Sequence, residues 1–438
     1  MLPLRPLQLF AVFLTLNLCH LSACGAIAQE AESEHRAAAP AFSDLNDAVK
    51  RAPQSAQARI HRGEAYLSVG DSEQAFVDFD EAIRLEPNDA YPWIARGYAF
   101  FQTGDMDNAL KDFDQAVRLE PRLAVALTFR GRVFENKSDF LRAIADFDEA
   151  ARVAPGDPYA FSARGAYYQH RQDYGRAIAD FSEAIRLKPS ALNYASRGRT
   201  YLEAGDADRA LADLDTAIKV APLRATTYVE RGGIYGMTGN TDKALADLDT
   251  AIRLDPRLAG AYRIRGDVHE RNGETSLALA DYDDALRLEP DDRHSLDSRG
   301  FLRLSTGNAS AAAQDFTRAH DLMQNNAYYV IWLQLAARRA GVPVEFSSAT
   351  AKLDMSTWPA PIVNMVFGKT TLDAVLVSVG NAADAEKKRR LCEAHFYAGE
   401  LALTDGRTDE ALRLFQLSAN DCPKTRAAFE LKRLNVKQ

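Results

Sequence analysis

A chain of 438 residues, 47% hydrophobic and 26% charged, has the balance of a soluble folded protein and the length for a large buried core. Its net charge of -8 argues against sequence-independent nucleic-acid binding, which rests on Lys and Arg neutralising phosphates. Its eight histidines form no H-E-x-x-H pair, and no glycine-rich phosphate loop or metal-ligand spacing occurs, so the sequence points away from an enzyme, a metal and a cofactor.

Residues 1–28 read as a signal peptide. Arg5 supplies the positive end, and Leu7 to Leu18 form an apolar run shorter than the roughly 20 residues a helix needs to span a bilayer. Two processing sites follow. Leu21-Ser22-Ala23-Cys24 resembles a bacterial lipobox, in which Cys24 is lipidated and becomes the N-terminus. Ala26-Ile27-Ala28 before Gln29 fits ordinary signal cleavage. The first makes the protein an exported, periplasmic, membrane-anchored one, and the second a soluble exported one. Polar, Ala-rich residues 29–40 read as a flexible tether.

The next stretch is periodic. Arg-Gly occurs at 62–63, 96–97, 130–131, 164–165, 197–198, 231–232, 265–266 and 299–300, a spacing of 34 with a single 33. We number positions so that this glycine is position 8. Position 20 is then alanine, position 11 is aromatic in Tyr66, Phe100, Phe134, Tyr168, Tyr201 and Tyr235, and position 24 is large (Phe79 through Phe316). Apolar residues such as Ala75, Phe76, Phe79, Ala82 and Ile83 share one helical face, and proline at position 32 stops that second helix. Eight periods cover 56–326. Ala41, Leu45, Ala48 and Pro53 fit positions 20, 24, 27 and 32 of a half period, so 41–55 reads as a capping helix. The 34-residue period and these residues resemble the tetratricopeptide repeat (TPR) family, two antiparallel helices per repeat. The resemblance implies an all-α fold, a TPR α-α superhelix (solenoid) with capping helices.

Residues 327–391 leave the period as an irregular helical insert. Tyr328 to Ala340 is apolar nearly all round, the mark of a buried helix. Trp358-Pro359-Ala360-Pro361 starts one short piece, and Thr370 with Asp373 opens another that ends near Gly380. Gly399, Gly406, Ala411, Phe415 and Pro423 then restore positions 8, 15, 20, 24 and 32, so 392–438 reads as a ninth TPR-like unit with a terminal capping helix. Cys392 and Cys422 fall at positions 1 and 31 of that unit, where antiparallel helices bring the two ends together, and they are expected to form a disulfide. This tail resembles the C-terminal part of exported bacterial TPR lipoproteins of the NlpI type. That resemblance implies an adaptor that gathers envelope proteins such as a protease or peptidoglycan hydrolase, and that forms a homodimer.

Arginine at position 7 and aspartate at position 23 occur together in all eight periods and are lost together in the ninth, as Ala398 and Leu414. They are expected to neutralise each other, within one repeat or between neighbours. Asp44 decides between these options, since a pairing between repeats would place it against Arg62. Aromatics at position 4 (Trp93, Phe161, Tyr194, Tyr228, Tyr262) are expected to pack between repeats. The groove of such an array is lined by the first helix of each pair. There Tyr91, Tyr98, Phe101, Arg132, Tyr159, His170 and Arg199 are the candidate partner-binding residues, of the types that dominate interfaces. Later repeats offer Gly233, Gly236, Gly260, Asp267 and Glu270. The sequence thus reads as a non-catalytic scaffold of the bacterial envelope that binds protein segments in its groove. The alternative is a structural or sorting component that binds envelope polymers such as peptidoglycan.

Overall fold

The computed structural model describes residues 42–380 and 383–422, together with Ala427, Glu430, Leu431 and Leu434. The expected leader with Cys24, the tether, and most of the expected terminal helix lie outside these residues. Every element among the described residues is a helix. They fall into two compact units divided between Leu223 and Arg224.

The first unit opens with α1 (Phe42–Arg51), a lone helix that buries Leu45 and Val49. Five pairs follow: α2 (Ala56–Ser68) with α3 (Ser72–Leu85), α4 (Ala90–Gln102) with α5 (Met106–Leu119), α6 (Ala124–Asn136) with α7 (Phe140–Val153), α8 (Pro158–His170) with α9 (Tyr174–Leu187), and α10 (Ala191–Glu203) with α11 (Ala207–Val220). The turn inside each pair is built the same way. Position 15 takes a left-handed conformation, at Gly70, Gly104 and Gly205, and also at the non-glycine residues Ser138 and Gln172. The next residue caps the second helix: the carboxylates of Asp71, Asp105, Asp139, Asp173 and Asp206 each accept a backbone N–H three residues on. Position 8 must be glycine because the position-24 ring lies against it. A Cβ placed on Gly63 would stand 2.6 Å from Phe79.

The second unit begins with three such pairs: α12 (Ala225–Met237) with α13 (Thr241–Leu254), α14 (Ala259–Arg271) with α15 (Thr275–Leu288), and α16 (Arg293–Ser305) with α17 (Ala309–Leu322). α18 (Ala327–Ala340) then packs on α17 as a first helix would, and buries Val330, Ile331, Trp332, Leu333 and Leu335. Its regular partner is missing. Three short helices, α19 (Phe346–Thr350), α20 (Ala360–Val366) and α21 (Leu372–Ser378), take the space before α22 (Asp384–Thr404) pairs with α23 (Thr408–Asp421). Thr371, rather than Thr370, caps α21. The first helix of the last pair starts at Asp384 instead of 392, extended by ion pairs from Glu386 to Arg389 and Arg390 and from Arg389 to Glu393. Glu393 also accepts from the hydroxyl of Tyr328 at 3.0 Å and the indole of Trp358 at 2.7 Å, which ties the insert to α22. Cys392 and Cys422 stand at disulfide distance, with Cα atoms 6.0 Å apart.

One ionic unit repeats through both halves. Each position-7 arginine donates through Nε and Nη2 to both oxygens of the position-23 aspartate of its own repeat, at 2.5–3.2 Å, in all eight repeats. The aspartates are buried, Asp78 to 1% exposure. The remaining Nη1 reaches back to position 25 of the preceding second helix: Arg96 to Asp80, Arg130 to Asp114, Arg164 to Asp148, Arg265 to Asp249, Arg299 to Asp283, and Arg197 to the Ser182 hydroxyl. Arg62 uses Asn46 of α1 in this role, so the within-repeat option holds for the aspartate pair, and Asn46 rather than Asp44 bonds the arginine. Position-4 and position-11 rings flank the guanidinium on the same helix, as Trp93 and Phe100 do for Arg96 at 5.2 and 5.8 Å. Trp93 also donates to the Pro87 carbonyl of the preceding turn.

Two consequences are measurable. Asp146→Ala leaves the half-buried Arg130 without its bidentate partner and is expected to cost about 3 kcal/mol in urea unfolding. Arg130→Met with Asp146→Leu, which removes both charges, recovers much of that loss. Cys392→Ser with Cys422→Ser is expected to destabilise the α22–α23 pair by about 3–4 kcal/mol, read as faster hydrogen exchange confined to that pair.

Candidate partner-binding groove

Within the first unit, successive first helices lie side by side: α2, α4, α6, α8 and α10. Their shared face carries the candidate residues, and four of them, three rings and an arginine, meet around a further ring that the sequence reading passes over. Phe129 of α6 stands 5.2 Å from Tyr98 of α4 and 6.1 Å from Tyr159 of α8, and stacks on Phe113 at 5.6 Å. Arg132 lies across this set, 5.2 Å from the Phe101 ring and 5.8 Å from Phe129, and its Nη1 donates to the Tyr159 hydroxyl at 3.3 Å. Arg132 is only 7% exposed, so its role is to hold the rings in place more than to present charge. Tyr91 stands 54% exposed at the start of α4. The signal for Phe129 was present: position 6 holds His61, Ala95, Ala163 and Ser196 in the other repeats of this unit, and a ring there is the exception.

His170 and Arg199 belong to a separate, polar set further along the same face. His170 Nδ1 pairs with Glu135 Oε1 at 2.9 Å, joining α8 to α6. Burial raises the carboxyl of Glu203 on α10, against the opposing pull of Gln169, Arg199 and His170 nearby. The wall therefore changes along its length from aromatic, at repeats two to four, to mixed charge at repeats three to five. A chain lying along it would meet flat apolar surface first and hydrogen-bonding groups next.

In the second unit the expected acidic groove residues are turned to internal use. Asp267 is 4% exposed and accepts the Tyr282 hydroxyl at 2.8 Å. Glu270 Oε2 lies 2.9 Å from the same hydroxyl and shares its single proton with Asp267. A Cβ on Gly236 would come within 2.8 Å of Val268, so this glycine serves close packing of α12 on α14.

Family models described as tetratricopeptide repeat match residues 56–89, 90–123, 130–191, 196–259 and 235–293. Among solved structures, a tetratricopeptide repeat protein from Parabacteroides merdae is 21% identical, covers 54% of this chain and 93% of that one, and superposes with a TM-score of 0.44. A thermophilic TPR protein of Thermus thermophilus is 20% identical over 41% of this chain and 98% of that one, with a TM-score of 0.38. PilW, a type IV pilus biogenesis factor, is 19% identical over 46% of this chain and 94% of that one, with a TM-score of 0.42. No curated protein matches the chain.

Proposed function

The chain belongs to the tetratricopeptide repeat family, whose members bind protein partners, and from this we infer that it is a scaffold of the bacterial cell envelope that holds an extended partner segment along the first-helix face of repeats two to five. The observation that carries the groove reading is the ring cluster of Tyr98, Phe129 and Tyr159, drawn from three successive repeats and braced by Arg132. These rings pack partly against the repeat interiors, but the same positions are not aromatic in every repeat, so they add to the burial that positions 8, 20, 24 and 27 supply throughout. Aromatic side chains give large contact area at low entropy cost, which makes them effective anchors for a partner. The tetratricopeptide fold is typically a non-catalytic scaffold, and the adaptor role fits it.

The envelope placement rests on the N-terminal sequence, Arg5 with the Leu7–Leu18 run and Leu21-Ser22-Ala23-Cys24. Partners of this reading are other envelope proteins, an envelope protease or peptidoglycan hydrolase among them, and a homodimer.

Affinity purification from envelope extract, followed by binding of the purified partner to variants, tests the groove. Tyr91→Ala with Tyr98→Ala is expected to weaken binding by at least about 2 kcal/mol, roughly 30-fold. Arg152→Ala serves as control, because that side chain is 64% exposed on a second helix and pairs with Glu149 of the same helix. Unchanged binding by the tyrosine pair, with circular dichroism showing an intact fold, would remove the groove from consideration. Intact-mass analysis of the native protein is expected to show a diacylated or triacylated Cys24. An unmodified N-terminus at Gln29 would instead leave a soluble exported protein.

A further inference from the structure

Repeat seven departs from the others in its interior. Position 24, an apolar ring or leucine in seven repeats, is Tyr282, and its phenol is fully buried. The hydroxyl carries one proton and stands within bonding distance of two carboxylates of α14, Asp267 at 2.8 Å and Glu270 at 2.9 Å, so the two share it. The same Oδ1 of Asp267 meets Nε2 of His294, the second residue of α16, at 2.8 Å. Asp267 thus stands where repeat seven touches repeat eight, shared between a phenol of its own repeat and an imidazole of the next.

We propose that His294 and Asp267 form a proton-operated joint between repeats seven and eight, closed while the imidazole carries a proton and loosened when it loses it. Asp267 is 4% exposed, and a carboxylate so buried needs compensating charge. Tyr282 offers it a hydrogen bond but no charge. Arg263 supplies positive charge from the same helix, its Nε lying 3.8 Å from Asp292 at the start of α16. His294 supplies the rest from across the interface, with its side chain 20% exposed.

Each helix packed around His294 contributes to its balance. Asp267 of α14 and Asp292 of its own helix favour the proton, whereas burial and Arg263 oppose it, and the outcome lies above the ordinary imidazole value. Glu270 acts one step away, through the Tyr282 hydroxyl of α15. Charged groups on these helices have partners of their own: Asp281 is held by Arg265, Asp315 by Arg299 and Arg303, Asp283 by Arg299, Asp284 by Arg287, Asp297 by the Tyr329 hydroxyl of α18, His269 by Glu274, Arg271 by the Gly236 carbonyl, and Arg293 lies against Met323. Because the folded value of His294 is raised, its stabilisation is fully present below about 6.5, the ordinary value, and is lost as pH rises through the folded value. Asp267 is lowered despite its burial, by His294 and Arg263, so the pair fails on the acid side only below the ordinary carboxylate range. In an array where each repeat is held by its neighbours, weakening one interface loosens that junction first.

Histidine Cε1–Hε1 NMR spectra of the full chain, with His294 identified by its loss in His294→Gln, read the joint directly. The midpoint of His294 is expected above about 6.5 and is expected to fall in Asp267→Asn. Amide exchange in α14 and α16, corrected for its intrinsic pH dependence, is expected to quicken from pH 6 to pH 8. Each unit of elevation crossed gives about tenfold. His294→Gln keeps a donor toward Asp267 and is expected to show no such change. A His294 midpoint at or below the ordinary imidazole value overturns the joint, as does an equal pH response in His294→Gln. Should the variants not fold, unchanged exchange in the wild-type helices between the two pH values overturns it alone.

Discussion

The arginine at position 7 is the constraint from which the architecture follows. It enters a mostly apolar junction half-buried, and its charge is held there by several partners at once, as at Arg96: two N–H groups on one carboxylate, a third on the preceding repeat, rings on its faces. That geometry fixes the two helices of a repeat against each other and both against the repeat before. Glycine at position 8, adjoining the arginine in sequence, belongs to the same requirement. The helices approach closely enough for the bidentate bond only because nothing stands between the first helix and the position-24 ring.

Where the arginine is absent, the regular array changes character. α18 carries Leu333 at the equivalent place, its partner helix is replaced by short pieces, and its contacts become an aromatic cluster of Phe301, Phe316, Trp332, Phe396 and Tyr397. The last pair, α22 with α23, keeps glycine at 399 and the ring of Phe415 but holds Ala398 and Leu414 where the ions would be, both buried. An apolar filling of the same site is therefore compatible with the helix pair. With Ala398 at position 7 that pair has no arginine to bond a preceding second helix; its ends are brought together at Cys392 and Cys422, and Arg339 of α18 bonds its buried Glu400.

The helix pairs, their turns and their packing positions were legible because each repeat solves one burial problem with one set of residues, so the answer recurs eight times. The joint presence and joint loss of Arg and Asp revealed their pairing, although Asn46 shows that the backward bond runs to position 25 and not to position 23. Less legible were features that occur once. Ser138 and Gln172 take the left-handed turn that glycine marks elsewhere. The start of α22 was hidden because charged helix formers carry no apolar stripe. Groove chemistry was read by residue type alone, and type does not reveal depth. Arg132 and Asp267 sit at positions that line a groove, yet both are buried, because a neighbouring ring or hydroxyl draws each inward.

Where both bonds are seen within a unit, they run to residues placed symmetrically along the chain: Arg96 reaches Asp112 and Asp80, Arg130 reaches Asp146 and Asp114. Such a contact rule is local and translational. A block of one period can be duplicated or excised anywhere within the regular stretch, and the new junction inherits a complete set of donors and acceptors without any compensating substitution. The 33-residue fourth repeat shows the tolerance of the rule, since Arg197 still finds an acceptor in Ser182. A gene built on this bond can lengthen or shorten its product by unequal recombination, so the length of the array is a heritable variable separate from the chemistry of its surface.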